Sequence, residues 1–338
     1  IHSFSGIEKS GLQLNGFSTK IEAGKKTAKI KQLELKMPNS SVKLAQISAN
    51  YNNISNWKNF IEKAKVSLSI EDSELNLKDI TPFIPQFSAM AGKLDVSGKL
   101  TGTLANLKAK DIRLSYGDAF CFDGDFDLSG LPNVDETFLY ADIKDIKFNR
   151  AGVQHFISDI SGRPFVLPTE LSNLGTIHYS GKISGFFSNL VAYGSFRTNL
   201  GKLSTDILIE VLPQWKGLKY SGSLNTSGFR LGRLLGESSQ VGDVSLKISV
   251  TGHKYADSSM SGVIDANVNS FTFNSYSYDN ILIKGNFDGS GFEGFLNIDD
   301  KNAKISFNGK IDLTKKLPIW NFSAKADDVN LTRLNLLK

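Results

Sequence analysis

The chain has 338 residues, with 39 lysines and arginines against 34 aspartates and glutamates, and 40% of its residues are hydrophobic. This balance is ordinary for folded proteins and excludes global disorder, and the length allows two compact domains or one extended array. The longest nearly unbroken apolar stretch, residues 207–212, is far shorter than the ~20 residues of a membrane-spanning helix.

The charges and the single cysteine argue against further classes of protein. Cys121 is alone, so the chain has neither an internal disulfide framework nor a zinc site built from clustered cysteines. The densest basic stretch, residues 20–36, carries lysines at roughly alternate positions of a strand-like segment. That spacing gives a solvated face rather than a nucleic-acid footprint, and we expect no nucleic-acid partner.

We expect no signal peptide at the start of this sequence. No methionine opens the sequence, and its first residues lack a basic start followed by an apolar core. We therefore expect the sequence to be a piece of a longer protein.

Apolar and polar residues alternate through most of the chain, which predicts strands with one apolar and one polar side. In chain order, the clearest such segments are 66–70, 75–77, 94–96, 112–114, 120–128, 143–148, 244–250 and 305–313. Turn-forming residues separate these segments at short intervals, so we expect about twenty strands joined mostly by hairpins. The fold class predicted is mainly β, an elongated and curled antiparallel sheet with a few short helices.

Four segments have helix-like patterns instead, at residues 56–64, 79–90, 150–160 and 229–235. The third is amphipathic through Val153, Phe156, Ile157 and Ile160. We expect this helix to cap the edge of the sheet or the mouth of a trough, with contact to a membrane or a partner as the alternative. The four segments together are too small to cover the apolar side of so many strands.

A helix-like segment followed by the same glycine pattern recurs along the chain. The pattern of residues 92–102 returns at residues 175–185, and the offset from Gly92 to Gly175 and from Gly102 to Gly185 is 83 in both cases. A weaker copy spans residues 242–252. We expect one elongated repeat array over 1–338, with approximate repeat units 1–78, 79–149, 150–227 and 228–327 and the start of another at 328–338.

A long antiparallel sheet must hide its apolar face, and two solutions exist. Two sheets can pack face to face as a sandwich, or one sheet can fold along its length into a trough with an apolar lining. The 23 phenylalanines suit either interior. The residues alone do not decide between the two.

Several segments resemble the TamB members of the AsmA-like superfamily, of the type found in Bacteroidetes. The resemblance extends over essentially the whole chain and is carried by residues 37–41, 79–85, 92–106, 122–133, 264–274 and 305–313. The resemblance rests on the sequence pattern of the repeats and not on a catalytic signature.

The resemblance implies a fold, a location and a function. It implies a taco-like β trough that carries phospholipid between the inner and outer membranes in the periplasm of a Gram-negative bacterium, and possible help in outer-membrane protein assembly. It also implies an inner-membrane anchor through an N-terminal helix and a TamA- or BamA-like outer-membrane barrel as partner of a C-terminal part. We expect this sequence to be a middle piece that lacks both.

In this interpretation acyl chains lie against apolar side chains at alternate strand positions, and head groups stay at the open seam. The candidate groove-lining residues are Leu94, Val96, Leu246, Ile248, Phe307 and Ile311. The alternative is a β-sandwich scaffold or adhesion protein that binds through surface loops without lipid transport.

No motif indicates an enzyme, a cofactor or a metal. Residues 289–294 match G-x-G-x-x-G, but a strand-like segment follows where a dinucleotide site needs a helix, so a hairpin is predicted there. Asp123, Asp125 and Asp127 share one side of a strand, and Leu128 stands where a calcium loop needs glycine. The four histidines are scattered. We expect no catalytic, metal or cofactor-binding residues.

Overall fold

The computed structural model describes most of the chain. The described residues are 4–7, 9, 11–24, 26–50, 65–81, 92–103, 105–117, 120–131, 133–161, 164–167, 169–213, 216–255, 258–313 and 317–337. The helix predicted at 56–64 and most of the one predicted at 79–90 lie outside these residues.

The chain forms two compact units. Unit 1 comprises Ile1–Ser172 and Thr176–Phe187, and unit 2 comprises Asn173–Gly175 and Ser188–Lys338. The strands of unit 1 are β1 (Gly6–Ile7), β2 (Gln13–Leu14), β3 (Gly16–Ala23), β4 (Thr27–Lys36), β5 (Ser41–Asn50), β6 (Lys65–Asn76), β7 (Lys93–Thr103), β8 (Asn106–Tyr116), β9 (Phe120–Ser129), β10 (Phe138–Phe148) and β11 (Ile177–Phe186). Those of unit 2 are β12 (Asn189–Thr198), β13 (Gly201–Val211), β14 (Gly217–Phe229), β15 (Val241–Tyr255), β16 (Ser261–Phe273), β17 (Tyr276–Asp288), β18 (Gly291–Asp300), β19 (Ala303–Asp312) and β20 (Ile319–Asp327).

Both units are antiparallel meanders in which each strand pairs with the next along the chain. In unit 1 the ladder runs from β3 to β11, and β1 pairs separately with β2. In unit 2 it runs from β12 to β20. The prediction of a mainly β, antiparallel fold with few short helices is confirmed. The repeat units stay a prediction.

The helices are short, as the sequence predicts. They are α1 (Arg150–Ser161), α2 (Leu231–Leu235) and the 3-10 segments Leu77–Ile80, Val134–Glu136 and Thr169–Leu174. The prediction at 150–160 is confirmed, and the one at 229–235 is confirmed as a shorter helix because strand β14 continues to Phe229. Gly236, in the left-handed conformation, ends α2.

An asparagine at the end of a strand, or within three residues after it, leads into a helical turn at three places. The side-chain oxygens of Asn76, Asn149 and Asn330 accept backbone N–H groups of Lys78, Gly152 and Arg333 at 3.1, 2.7 and 3.0 Å. Such a side chain satisfies an N–H group that the first turn of a helix leaves unpaired.

Each helical turn brings apolar side chains onto the sheet beside it. In unit 1, the ring of Phe156 in α1 stacks on Phe120 at 5.3 Å between centroids and meets Tyr116 edge-on at 5.7 Å. Leu77, which follows β6, is buried in the same cluster. These contacts support the predicted capping role of α1 through Phe156.

In unit 2, α2 and the C-terminal turn cover one end of the strands. Leu231 and Leu234 of α2 pack against a buried cluster that contains Leu334 of the turn. The other buried members of this cluster are Leu200, Phe229, Val244, Val268, Tyr278, Ile281 and Ala303. We call the strand ends that meet this cluster the covered end of unit 2.

A buried carboxylate fastens the β18–β19 turn at the covered end. Asp300 is 2% exposed and accepts hydrogen bonds from the Tyr276 hydroxyl at 2.6 Å and from the backbone N–H groups of Asn302 at 2.8 Å and Asp279 at 3.2 Å. Burial alone would raise the pKa of Asp300, but these hydrogen bonds outweigh it and hold the pKa below its usual value. The backbone N–H of Asn330 then donates to the Asn302 carbonyl at 2.9 Å, which ties the C-terminal turn to the same site.

The first prediction concerns the close packing of α2 against the start of β15. A Cβ atom at Gly232 would overlap the backbone carbonyl of Val241, while one at Gly236 would meet open space in a left-handed backbone. We expect Gly232→Ala to lower the free energy of unfolding by about 2–3 kcal/mol through overpacking. The control, Gly236→Ala, should cost about 1 kcal/mol from backbone strain alone. Urea unfolding measures both, and an equal loss in the two variants would contradict this packing.

The second prediction concerns Asp300. Because its pKa is lowered in the folded state, its stabilisation is full above the unfolded pKa and is lost as pH falls below 3.8 toward the folded value. Asp300→Asn should cost about 2 kcal/mol at pH 7, since the carboxylate accepts three hydrogen bonds. The deficit relative to the unmodified protein should shrink when urea unfolding is repeated at acidic pH.

Asp299→Asn is the matched control, because that neighbouring side chain is exposed. It should leave the free energy of unfolding unchanged at both pH values. A deficit for Asp300→Asn that stays constant with pH would show that the carboxylate is not the stabilising group.

Candidate functional site

The apolar side of the sheet in unit 2 is the candidate site. Residues paired across antiparallel strands point to the same side, so the register sorts side chains into rows that cross the strands. Four successive rows across β15 to β19 contain only aliphatic residues, phenylalanine and glycine. We call them rows 1 to 4, counted from the covered end, and together the apolar face.

The rows are as follows, each in the order β15 to β19. Row 1 is Leu246, Val268, Ile281, Ile298 and Ile305; row 2 is Ile248, Ala266, Ile283, Leu296 and Phe307; row 3 is Val250, Ile264, Gly285, Gly294 and Gly309; row 4 is Gly252, Gly262, Phe287, Phe292 and Ile311. Strand β20 extends them with Ala326, Ala324, Phe322 and Trp320.

The opposite side of the same strands is mostly polar. Lys284 of β17 forms an ion pair with Asp265 of β16 at 3.0 Å, and Lys310 of β19 lies 3.7 Å from Glu293 of β18. Val263 and Phe295 are exposed apolar exceptions. The two sides therefore differ as the alternation in the sequence predicts.

The apolar face is only partly buried. Ala266, Val268 and Ile281, in rows 1 and 2, are buried, and the remaining residues of the four rows are half-buried. In β20, Phe322 is 48% and Trp320 is 58% exposed. A fully packed core would bury these side chains, so much of this hydrocarbon surface is accessible in unit 2.

Row 3 is a line of glycines across three neighbouring strands. At Gly309 the backbone has φ +152°, and a Cβ there would overlap the backbone of β20 at Asn321 and Phe322. Glycine in a strand interior often marks a bend or a close approach of another backbone. Cβ atoms at Gly285 and Gly294 would likewise overlap the backbone of the neighbouring strand, so row 3 is where these strands approach one another closely.

Unit 1 has the same arrangement. Its corresponding row contains Ile112, Gly124, Ile143 and Gly181 in direct register. Gly98 of β7 lies beside Ile112 with φ +138°. Register shifts occur at this level in β7–β8, β8–β9 and β9–β10, and such bulges bend strands and increase their twist.

All six predicted groove-lining residues lie on apolar faces of this kind. Leu246, Ile248, Phe307 and Ile311 share the face of unit 2, and Ile248 and Phe307 stand in the same row although they are far apart in sequence.

In unit 1, Leu94 is paired with Tyr116 and Val96 with Leu114, and both predicted residues are half-buried. That these faces bind lipid stays a prediction.

The glycine row is the part that the sequence analysis missed. Gly124 and Gly309 stand at positions where the alternation of apolar and polar residues calls for an apolar side chain. That interruption was a usable signal, since glycine gives no side chain to pack. Only the register shows that Gly285, Gly294 and Gly309 lie side by side.

The three aspartates of β9 belong to ion pairs on the polar side of unit 1. Asp125 lies 2.9 Å from Lys110, Asp123 3.8 Å from Arg113 and Asp127 3.9 Å from Lys108. The backbone N–H of Asp111 also donates to Asp125 at 2.8 Å; with Lys110 it lowers the pKa of Asp125. The carboxylates thus face cations of neighbouring strands, as expected for an outward polar face.

The other motifs are also placed. Residues 289 and 290 form the turn of the β17–β18 hairpin, which confirms that prediction. His178 meets Asp145 at 3.0 Å, and His253 meets the Ser261 hydroxyl at 3.2 Å. Within the residues that the structure describes, no group of three or more histidine, cysteine or acidic side chains is arranged to hold a metal ion.

No helix in the described part of the chain is long and apolar enough to cross a membrane. No family model matches this chain, and neither a curated protein nor a solved structure is significantly similar to it.

Proposed function

We propose that the apolar face binds the acyl chains of phospholipids, and that the chain is a segment of a periplasmic protein that carries phospholipid between the inner and outer membranes. The observation that carries the proposal is the set of four uninterrupted apolar rows in unit 2, most of them only half-buried. An apolar surface of this size in contact with water favours an apolar ligand.

The chemistry of the face favours a hydrocarbon chain over a peptide. Rows 1 to 4 offer no side-chain donor or acceptor between β15 and β19. A peptide laid there would lose hydrogen bonds to water from its backbone without replacing them, while an acyl chain has none to lose. Each buried methylene contributes ~0.8 kcal/mol, so the face holds chains of different length and head group without a fixed polar site.

The resemblance to TamB proteins supports the cellular part of the proposal. It adds an inner-membrane anchor, a TamA- or BamA-like outer-membrane partner and possible help in outer-membrane protein assembly, each supplied by other parts of a longer protein. In this proposal the chain has no catalytic role. A sandwich scaffold is less favoured, because its function requires the apolar face to be packed against protein.

Charge insertion on the apolar face tests the proposal. An unpaired carboxylate against hydrocarbon costs well over the ~1.4 kcal/mol that corresponds to tenfold in affinity. We therefore expect Phe307→Glu to reduce bound phospholipid by more than about tenfold. The 338-residue chain is purified from the periplasm of a Gram-negative host, and lipid is extracted from it and quantified by mass spectrometry.

Two further variants make the result interpretable. Asn308→Glu places the same charge on the polar side of the same strand and should retain phospholipid. Ile311→Glu repeats the insertion in row 4, where packing is looser, in case Phe307→Glu fails to fold by circular dichroism. Unmodified protein without phospholipid, or equal loss in Asn308→Glu, would refute lipid binding by the apolar face.

A further inference from the structure

The two strand ends of unit 2 differ in what lies on their apolar side. At the covered end, α2 and the C-terminal turn pack on the sheet, and Phe229, Val244 and Tyr278 are 5%, 4% and 7% exposed. Gly232 of α2 sits so close to the start of β15 that a Cβ would overlap the carbonyl of Val241. Moving α2 away would remove Leu231 and Leu234 from this cluster.

Polar contacts also hold the covered end in place. The Arg230 backbone N–H donates to the carbonyl of Leu200 at 3.0 Å, and the Asn173 side chain donates to the carbonyl of Leu234 at 3.0 Å. The hydrogen bonds of Asp300 and Asn302 fasten the neighbouring turn. The helix therefore behaves as a fixed cover of the sheet and not as a hinged flap.

At the other strand ends, beyond row 4, the described side chains of β19 and β20 stay half-buried or exposed, and those at 311–313 and 319–320 do not belong to the buried cluster. Ile209, whose strand continues the face beyond β14, is 37% exposed, and Trp320 is 58% exposed. Row 4 begins with Gly252, against which the buried Tyr220 ring of β14 lies, its hydroxyl donating to the Ser261 carbonyl at 3.1 Å; the exposed ends are those of β19 and β20. We call this the open end of unit 2.

We infer that acyl chains pass on and off the apolar face of unit 2 at the open end, past Ile311 and Trp320, and that the covered end stops them. This inference rests on the proposed function and adds to it the strand end at which acyl chains enter and leave. A chain entering at the open end along β17 to β20 meets row 4 and then the glycines of row 3 without displacing side chains of the buried cluster. A chain entering at the covered end must first displace α2.

Trp320 is a natural probe of the open end. The chain has three tryptophans, and Trp57 and Trp215 can be replaced by phenylalanine to leave Trp320 alone. For the covered end, all three native tryptophans are replaced by phenylalanine, and Phe271→Trp then places a single tryptophan beside the buried cluster. Both proteins are mixed with phosphatidylethanolamine vesicles that contain a phospholipid with a nitroxide-labelled acyl chain, and tryptophan quenching is followed over time.

We expect the nitroxide lipid to quench Trp320 severalfold more, and earlier, than the tryptophan at position 271. Phe273→Trp, beside the same cluster, replaces Phe271→Trp if that variant fails to fold. Equal quenching at the two ends, or stronger quenching at the covered end, would overturn the open-end inference while lipid binding itself stands. If mass spectrometry finds no phospholipid on either protein, lipid binding and the open-end inference are both refuted.

Discussion

The constraint that shapes this protein is the one-sided polarity of its antiparallel strands. Alternation sends every second side chain to the apolar face, and hydrogen bonding between neighbouring strands joins these side chains into continuous rows. Water contact with such rows is unfavourable in proportion to the apolar area exposed. Each unit covers part of this area with a few short helical turns. The rest stays accessible, and the proposed lipid binding would follow from that shortage of cover.

Bends in the strands are the second determinant. Glycines and bulges fall at the same level of the sheet, as with Gly124 and Gly181 on either side of β10 in unit 1 or Gly285, Gly294 and Gly309 on neighbouring strands of unit 2. A side chain at Gly309 would overlap the next strand, so the close approach of the two backbones depends on glycine. These positions shape the apolar face without contributing any apolar contact of their own.

A face without polar anchors fits a carrier better than a selective receptor. Selective sites use a small number of placed polar groups to orient their ligands. Rows 1 to 4 provide none, so in the proposed function acyl chains would be bound by apolar area alone and would slide from row to row with little resistance. The fixed seat of α2 and the carboxylate of Asp300 supply rigidity at one strand end, where a bound chain would have to stop.

The sequence by itself determined the class of fold and the side of each strand on which a residue lies. Alternation is a local property, and so the strands around residues 120–128, 244–250 and 305–313 and the helix at 150–160 were predictable from residue order. Membership of Ile248 and Phe307 in one apolar side followed from the same pattern.

Only the tertiary structure decided how those sides are aligned. Register depends on turn lengths and bulges, and the offsets that they introduce add up over the strands that separate two distant residues. A shift of one residue would move every side chain of a strand to the other side of the sheet. That alignment produces the row of Gly285, Gly294 and Gly309 and the packing of Leu334 at the covered end. They involve contacts between segments that no local pattern relates, and for that reason residue order alone did not reveal them.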